Sequence, residues 1–382
     1  MKINIVGGGP AGLYFAILMR ELDPQAELTI WERDGPDESH GWGIVLNRGT
    51  LNLLNKCDPQ SHAEIVASAI TWSSLDIVLQ GQKHSIRGLP YISLPRIQVL
   101  KALRERCRAL DIEIRYRNPV RNIMDVSDCD LLVGADGANS AVRNAFKNEF
   151  QSSIEIQENR YIWLGTNKLF NTLTLMFRKS SSGVLSVEAY PFNDSTSTFI
   201  AQCTCSAWDA SGLSNMTVAE SCEFIADTFE QELDGYPVLS NPSASWNRFP
   251  IVKNQNWMCE GVLLLGDALH TAHFSIGSGT RLALEDAIVA ARCLSRNSDI
   301  NTALRAFANR RKPVITRFQE VAFASELWYE RLDSVIDLEL LPFVYSVLTR
   351  SKKVDLRSLR LQDPQFVADY MQWQKDNEQD PA

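Results

Sequence analysis

The sequence contains no apolar run near the roughly 18–20 residues that a membrane-spanning helix needs. It has no excess of basic residues either, because 38 Lys and Arg stand against 46 Asp and Glu, a net charge of −8. An acidic chain is a poor candidate for binding nucleic acid or an anionic membrane surface, so we expect neither partner. Internal repeats and low-complexity segments are also missing, and 45% hydrophobic with 22% charged residues is typical of a globular protein.

The eight cysteines form no C-x-x-C pair, and the five histidines show no spacing typical of a metal site. Residues 1–19 could be misread as an export signal, but Gly-Gly-Gly-Pro at 7–10 interrupts the apolar run. We therefore expect reduced thiols, a cytoplasmic location and no bound metal. Cys203 and Cys205 are predicted to share one face of a strand.

Hydrophobic periodicity predicts a β-α-β unit at the start of the chain. Residues 2–6 form an apolar strand, residues 11–22 have helical spacing, and a second strand over 28–31 ends at Glu32. Later segments continue the pattern with a helix at 96–110, apolar strands at 131–133 and 262–265, antiparallel strands at 173–177 and 197–201, and helices at 217–233, 281–295, 300–330 and 334–350.

These patterns predict two interleaved domains and a helical tail. We expect a Rossmann-like α/β domain for a dinucleotide, an inserted antiparallel-sheet domain for the substrate, and C-terminal helices. The predicted boundaries are residues 1–70, 95–150 and 255–295 for the first, 71–94 and 151–254 for the second, and 296–382 for the third.

A glycine-rich turn joins the first strand to the first helix. In Gly7-x-Gly9-x-x-Gly12, the first glycine permits a tight turn, the second lets a pyrophosphate approach the backbone, and the third lets the helix pack closely. The phosphates would lie at the helix N-terminus, beside Pro10 and Ala11, where backbone amides favour negative charge. This motif predicts dinucleotide binding.

Glu32 lies twenty positions after the last of these glycines, at the end of the second strand. Its carboxylate can accept hydrogen bonds from ribose hydroxyls, and Arg33 beside it is placed in the same predicted cofactor site. Because an acidic ribose contact disfavours a 2′-phosphate, the candidates at this point are FAD and NAD.

Two later segments decide between them. Residues 130–143 (Asp-Leu-Leu-Val-Gly-Ala-Asp-Gly-Ala-Asn-Ser-Ala-Val-Arg) resemble the Asp-Gly motif of single-component FAD-dependent aromatic hydroxylases, the class A flavoprotein monooxygenases. Residues 261–268 resemble the third motif of that family. The resemblance implies a fold like that of p-hydroxybenzoate hydroxylase, with Asp136 and Gly266 at the FAD and Asp267 binding its ribityl chain.

The segments 41–45, 159–166 and 266–287 narrow the resemblance. They are similar to the salicyloyl-CoA 5-hydroxylases, to the flavin half of the anthraniloyl-CoA monooxygenases and to the indole-ring hydroxylase of violacein biosynthesis. We expect the resemblance to cover residues 1–330, with little from the last fifty. The chain departs from the wider family at Phe274, where proline is usual, and at Thr280, where asparagine is usual.

The same resemblance implies further contacts with the cofactor. Arg96 and Gln98 would hold its ribityl and phosphate region. Trp42 would lie near the isoalloxazine ring, and its side chain could either stack on that ring or serve only in protein packing. Residues 274–280, which we call the flavin loop, would pass close under the isoalloxazine ring, with contacts from Gly277, Gly279 and Thr280.

A histidine stands next to the flavin loop in a chain poor in histidines. His273 is the predicted catalytic residue, a proton donor or acceptor beside the flavin, because the related indole hydroxylase resembles this chain there and not at His270. A histidine whose ring is satisfied by a backbone carbonyl is the alternative interpretation.

The resemblance also implies the reaction. NADH or NADPH would reduce FAD, O₂ would add at the flavin C4a carbon, and the hydroperoxide would hydroxylate an electron-rich aromatic ring. We expect an aryl-CoA substrate such as salicyloyl-CoA, in a monomer or homodimer. Residues 151–255 carry six Lys or Arg and eleven Asp or Glu, an unpromising surface for CoA phosphates, although Arg178 and Lys179 could anchor them.

Several alternatives are open. The substrate could be a free or carrier-bound aromatic amino acid or an indole in secondary metabolism, and a flavin reductase that uses no oxygen is a further possibility. A flavin halogenase would need a Trp-x-Trp-x-x-Pro-like segment, which none of the nine tryptophans provides. A catalytically silent flavoprotein that acts as a binding module is disfavoured by the three intact motifs.

Overall fold

The computed structural model describes residues 1–378, in which fourteen strands build two sheets. The strands are β1 (Lys2–Val6), β2 (Glu27–Trp31), β3 (Gly43–Leu46), β4 (Ile70–Leu79), β5 (Gln82–Pro95), β6 (Glu113–Arg115), β7 (Leu131–Gly134), β8 (Ser152–Thr166), β9 (Leu173–Ser180), β10 (Gly183–Pro191), β11 (Ser197–Cys203), β12 (Val238–Leu239), β13 (Asn247–Asn254) and β14 (Val262–Leu264).

Fifteen α-helices occur in the same range. They are α1 (Pro10–Leu22), α2 (Arg48–Cys57), α3 (Pro59–Val66), α4 (Arg96–Ala109), α5 (Ala141–Ala145), α6 (Lys147–Phe150), α7 (Cys205–Ser211), α8 (Val218–Thr228), α9 (Glu230–Leu233), α10 (Gly279–Arg296), α11 (Ile300–Glu330), α12 (Leu332–Val335), α13 (Leu340–Thr349), α14 (Leu356–Gln362) and α15 (Pro364–Glu378). None of the helices described is both long and apolar enough to cross a membrane.

The first sheet is the predicted Rossmann-like sheet. Its five strands are all parallel and lie in the order β14-β7-β1-β2-β6. The buried helices α1 and α10 pack against each other beside it, and their apolar faces join its strands in one core. This arrangement places the carboxyl ends of β1, β2, β7 and β14 at one edge, which is where ligands bind in such sheets.

The second sheet has nine strands and is mostly antiparallel, in the order β12-β8-β11-β10-β9-β4-β5-β3, with β13 also paired to β8. Two details differ from the expectation. The pairing of β4 with β9 is parallel, and β3 belongs to this sheet although its residues fall within 1–70. The α/β fold class is confirmed, while the exact domain boundaries stay a prediction.

The C-terminal helices cover one end of the nine-stranded sheet. Phe177 of β9 packs against Phe343 of α13 with ring centroids 4.9 Å apart, in a core that extends to α15. The helix predicted over 334–350 is broken into α12 and α13. Pro342 explains the break, since proline is tolerated in the first turn of α13 but would clash inside a continuous helix.

The expectation for the cysteine pair is wrong in part. Cys203 ends β11, but Thr204 caps α7 by accepting from the Ala207 amide at 3.3 Å, so Cys205 begins a helix. The capping box at Thr217 and Glu220 is present, and it opens α8 as predicted. The eight cysteines are all unbridged thiols.

Candidate active site

A cavity of about 400 Å³ opens at the carboxyl ends of the parallel strands. The turns after β1, β2, β7 and β14 line it, together with α4 and the first turn of α10. Its walls include twelve of the predicted cofactor residues, namely Gly7, Gly9, Pro10, Ala11, Glu32, Arg33, Arg96, Asp136, Gly266, Asp267, Gly279 and Thr280.

The glycine-rich turn has different steric limits at its three positions. Gly7 has a φ of +107°, and a Cβ at Gly12 would lie 2.1 Å from the Gly7 carbonyl oxygen, so both positions are closed to side chains. A Cβ at Gly9 would meet no protein atom within 4 Å. The space next to Gly9 is therefore open to a ligand, while Gly12 serves the packing of α1.

Glu32 stabilises this turn and faces the cavity. Its carboxylate accepts from the Gly8 amide through Oε2 and from the Asp34 amide at 2.8 Å through Oε1. Each oxygen keeps lone-pair capacity for a ribose hydroxyl, which fits the predicted contact. Arg33 is mostly exposed and lies 3.5 Å from the Asp34 carboxylate.

Charged groups with incomplete partners stand deeper in the cavity. Burial lowers the pKa of Arg96, whose buried Nε has no hydrogen-bond partner among the described residues. Burial raises the pKa of Asp267, against the opposing charges of His270 and Arg96. Asp136 accepts from the Ala141 amide at 2.7 Å through Oδ2, but its buried Oδ1 is unpartnered within residues 1–378.

These observations test whether the site fits FAD. Buried polar atoms without partners are costly in a folded protein, and a ligand rich in hydroxyls and phosphates would supply the missing partners. The pyrophosphate would meet the amides at the start of α1 and the Arg96 charge, and the ribityl hydroxyls could reach Asp267. The residues present therefore fit the cofactor that the sequence predicts.

Four predicted cofactor residues do not line the cavity: Gly12, Trp42, Gln98 and Gly277. Gln98 is exposed, because a residue two positions from Arg96 lies on the far side of α4. Trp42 packs near Phe192, with ring centroids 6.3 Å apart, and its carbonyl accepts from the Arg96 amide at 2.9 Å. The roles predicted for these residues stay predictions.

Sequence reasoning missed other wall residues. Arg104 lines the cavity and donates to the carbonyl oxygens of Pro36 and Glu38. Its signal was present in the helical spacing, since positions 96, 100 and 104 share one face of α4. Asn118 comes from the loop after β6, where no local pattern marked it.

His273 immediately precedes the flavin loop and is buried, with 2% of its surface exposed. Its Nδ1 bonds the Ser275 hydroxyl at 2.9 Å and accepts from the Ser275 amide at 3.3 Å. Burial, with help from the Arg350 charge, lowers its pKa to about 3, so the imidazole is neutral at working pH. This geometry favours a positioning role for the flavin loop, and catalysis by His273 stays a prediction.

His270 has a different environment. Its Nε2 pairs with Asp286 at 2.7 Å, and Arg311 donates through Nε to the same carboxylate at 2.8 Å. All three side chains are buried, and Asp286 also accepts from the Gly266 amide at 3.1 Å. This network links the loop after β14 to α10 and α11, which is a structural role.

The nine-stranded sheet turns one face toward the flavin loop. Trp163 of β8, Ile200 of β11 and Glu188 of β10 are in register across three strands, so their side chains share this side, which we call the inner face. Tyr161, two positions before Trp163, approaches Phe274 of the flavin loop with ring centroids 4.9 Å apart. The inner face is thus rich in aromatic side chains where it meets the loop.

The comparisons with known proteins agree with this site. The model of the FAD binding domain family matches residues 124–322, which include the second and third predicted motifs. The chain belongs to this family. It is an FAD-dependent aromatic monooxygenase with the Rossmann-like and inserted-sheet architecture described above.

Three curated relatives match almost the whole chain. A salicyloyl-CoA 5-hydroxylase from a Streptomyces species is 33% identical over 96% of this chain and 72% of its own length. A 3-hydroxy-4-methyl-anthranilyl-[aryl-carrier protein] 5-monooxygenase from Streptosporangium sibiricum is 31% identical over 94% and 97%. A protodeoxyviolaceinate monooxygenase from Chromobacterium violaceum is 30% identical over 93% and 95%. The similarity therefore continues past residue 330, and the expected limit was wrong.

Solved structures share the fold. 2-Methyl-3-hydroxypyridine-5-carboxylic acid oxygenase, in a tetrameric form, superposes with a TM-score of 0.71 at 19% identity and covers 93% of this chain and 98% of its own. PqsL from P. aeruginosa, in complex with 2-aminobenzoylacetate, gives a TM-score of 0.68 at 18% identity, with 88% and 100% covered. At such identities, the match shows only that the architecture is shared.

Proposed function

We propose that this enzyme hydroxylates an aromatic ring that carries a hydroxyl or amino group and is held as a thioester, with NADH or NADPH and O₂ as co-substrates. The observation that supports this most is that two of the relatives, at 33% and 31% identity, are named for aryl groups linked to CoA and to an aryl-carrier protein. An aryl-CoA such as salicyloyl-CoA is the first substrate to test.

The names of these two relatives also suggest a ring position. Salicyloyl is a 2-hydroxybenzoyl group and anthranilyl is a 2-aminobenzoyl group, and both names give position 5 as the site of oxygenation. Position 5 is para to the donor substituent at position 2, where such a donor raises the electron density of the ring. We propose the same para relationship for the substrate of this chain.

The inner face supports an aromatic substrate. Tyr161 and Phe249 lie 6.2 Å apart between ring centroids, and Phe249 is 6.1 Å from Phe274. Trp163 packs against the core of the Rossmann-like sheet. Aromatic walls of this kind bind a planar ring through its face and edge and exclude water from it.

When bound, FAD would accept two electrons from the nicotinamide and activate O₂. The protein would hold it through the amides at the start of α1, the Glu32 carboxylate, Arg96 and Asp267. The amides of Gly279 and Thr280, in the first turn of the 18-residue helix α10, direct partial positive charge toward the cavity. These two amides would stabilise negative charge that develops in the cavity. The flavin loop would orient the isoalloxazine ring.

Both residues that could anchor the CoA phosphates form ion pairs within the protein. Arg178 donates to Glu232 at 2.6 Å and Lys179 pairs with Asp337, so both of the suggested phosphate anchors already have acidic partners. A carrier-bound or free aromatic amino acid or an indole is therefore the second candidate.

The test is to incubate the FAD-loaded enzyme with O₂, NADH or NADPH, and either salicyloyl-CoA, anthraniloyl-CoA or tryptophan, followed by mass spectrometry. We expect one added oxygen on an aryl thioester. Oxygenated tryptophan would favour the second candidate. Oxidation of the nicotinamide with no oxygenated product from any of the three would contradict the proposal and favour a flavin reductase.

A further inference from the structure

The carboxylate of Glu188 lies on the inner face of the sheet, and nothing in the proposed function uses it. Its strand neighbours Val187 and Ala189 are on the opposite face and fully buried in the sheet core. Glu188 itself is only half-buried, and it shares its row with Trp163. It therefore lies on the side of the sheet that faces the flavin loop, with part of its surface exposed.

The C-terminal helices pack against this part of the inner face. Tyr329 of α11 donates to Oε1 of Glu188 at 3.4 Å, which is the one hydrogen bond of the carboxylate within residues 1–378. Arg350, at the end of α13, lies over the Tyr329 ring at 5.8 Å and donates to the Ser275 carbonyl oxygen at 3.0 Å. Glu188 and the flavin loop are thus joined through two residues that pack on each other.

Arg350 is near Glu188 but does not neutralise it through a contact. Its Nε donates to the Ser325 hydroxyl at 3.1 Å, and its Nη1 donates to the Val347 carbonyl oxygen at 2.7 Å. Its charge opposes the effect of burial, and together they leave the pKa of Glu188 raised to about 7. The hydrogen bonds of Arg350 connect α13 with the flavin loop. They leave Oε2 of Glu188 able to accept a hydrogen bond from a ligand.

A carboxylate in this position is a poor choice for stability alone. Burying an acidic group with one long hydrogen bond and no ion pair costs more than an apolar side chain of the same size. Tyr91 of β5 is a further polar group in this region: burial raises its pKa, the charge of Arg350 opposes that rise, and the charge of Glu188 adds to it. A ligand that donates to Oε2 would offset the cost of burying the carboxylate, and an acidic group with so few partners is a candidate for function.

We propose that Glu188 is a specificity-determining residue whose carboxylate accepts a hydrogen bond from the hydroxyl or amino group of the substrate ring. The inference rests on the proposed function and defines its substrate class more narrowly. An ionised carboxylate only accepts, so it selects rings with an O–H or N–H and rejects those in which a methyl group replaces the hydrogen. The donor at ring position 2 would face Glu188, and the para carbon would point away from it.

The proposal predicts a pH dependence of binding. Since the ionised form of Glu188 accepts the hydrogen bond, affinity should rise as the pH increases through about 7. The other titratable groups near Glu188 do not titrate there, because burial raises the pKa values of Tyr91 and Tyr329 and lowers that of His273 to about 3. The strand neighbour Tyr190 also has its pKa raised by burial.

The experiment measures binding without turnover. The FAD-loaded enzyme, with no nicotinamide, is titrated with 2-hydroxybenzoyl-CoA, 2-aminobenzoyl-CoA, 2-methoxybenzoyl-CoA and benzoyl-CoA, and the change in flavin absorbance gives each Kd. We expect the two donor ligands to bind about 10- to 100-fold more tightly than the other two. In Glu188→Gln, whose amide oxygen is a neutral and weaker acceptor, this preference should fall and its rise with pH should disappear, while FAD content is kept.

Two control variants separate recognition from structure. Tyr329→Phe removes the hydrogen bond to Glu188, and it should keep the donor preference if Glu188 contacts the ligand. Glu155→Gln removes an exposed carboxylate of the same sheet and should leave the donor preference and its pH profile unchanged. A Glu188→Gln enzyme with the parental preference and pH profile would overturn this inference alone. A parental enzyme that binds none of the four ligands would contradict the proposed function and overturn this inference with it.

Discussion

The guanidinium of Arg350 donates through Nη2 to the carbonyl oxygen of Ser275 at 3.0 Å. The two residues are 75 positions apart, at the end of α13 and inside the flavin loop. This bond and the one to Ser325 connect the C-terminal helices with the flavin loop, so the tail contacts a segment that borders the cavity.

Removal of this link should loosen the loop. Arg350→Ala leaves a buried carbonyl oxygen without its donor, and we expect FAD affinity to fall about tenfold, in line with roughly 1–1.5 kcal/mol for such a bond. Isothermal titration of the apoenzyme with FAD measures it. Arg357→Ala, at an exposed position in α14, is the matched control and should bind FAD normally. Equal affinity in both variants would show that the link does not position the loop.

Two glycines of the same turn should respond differently to one methyl group. Gly9→Ala meets no protein atom and has an ordinary φ of −80°, so the apoprotein should keep its melting temperature while FAD binding weakens at least tenfold. Gly12→Ala places its methyl against the Gly7 carbonyl and should lower the stability of the apoprotein by roughly 1–3 kcal/mol. If Gly9→Ala bound FAD as tightly as the parent, the pyrophosphate would have to lie elsewhere.

Asp267 should contribute to cofactor affinity through its cavity-facing carboxylate. Asp267→Ala should weaken FAD binding by roughly 1–3 kcal/mol, the usual effect of deleting a hydrogen-bond partner of a buried group. The FAD retained after gel filtration and the Kd by titration report it. Glu260→Ala, exposed near the same strand, is the control. Full flavin retention in the Asp267 variant would contradict the ribityl contact.

The prediction for His273 separates catalysis from positioning. If it exchanges a proton with the substrate, His273→Ala should slow hydroxylation by about 10²-fold with FAD retained and more peroxide released. His273→Asn keeps an acceptor for the Ser275 amide, so a normal rate in that variant would assign His273 to positioning the loop. His270→Ala should affect hydroxylation less, although it breaks the buried pair with Asp286 and should lower the melting temperature.

Glu326 should make stability depend on pH. It is 1% exposed, neither carboxylate oxygen has a hydrogen-bond partner within the described residues, and burial together with Glu330 and Glu155 raises its pKa to about 8. The folded protein then holds a proton that the unfolded chain releases above its ordinary pKa of 4.5. This contribution to stability is complete below that pH and is lost as the pH rises through about 8.

Glu326→Gln removes the cost of charging this site. At pH 9, the variant should exceed the parent by roughly 1–3 kcal/mol, with little difference at pH 5, as measured by thermal unfolding across that range. Glu320→Gln, exposed on the same helix, should follow the parental curve. A constant offset between variant and parent at all pH values would mean that Glu326 does not titrate in this range.

Local patterns were enough to predict the Rossmann-like sheet and most of the cavity. The glycine turn, Glu32 and Asp267 follow strands directly, and parallel strands bring their carboxyl ends together wherever the chain goes between them. The cofactor contact of Gln98 was predicted from the resemblance alone. Helical geometry places this residue on the exposed side of α4, away from Arg96. Arg104 was predictable from the same geometry.

The positions of Glu188 and Arg350 could not be predicted from the sequence, for a different reason. Which side chains lie on the inner face depends on the register of β8, β10 and β11. A shift of one residue would turn Glu188 toward the sheet core. Arg350 reaches the flavin loop only because α13 docks on the sheet, and that docking depends on contacts such as that of Phe177 with Phe343. Neither signal is present in a local window of the sequence.

Labelling with ¹⁸O₂ gives the sharpest test of the proposed hydroxylation. The FAD-loaded enzyme oxidises NADH or NADPH under ¹⁸O₂ with salicyloyl-CoA, and the product is analysed by mass spectrometry for the label and its ring position. We expect one ¹⁸O atom at the carbon para to the 2-hydroxyl group and about one product for each nicotinamide oxidised. Nicotinamide oxidation that yields only labelled hydrogen peroxide, with an unchanged aryl thioester, would contradict the proposed hydroxylation.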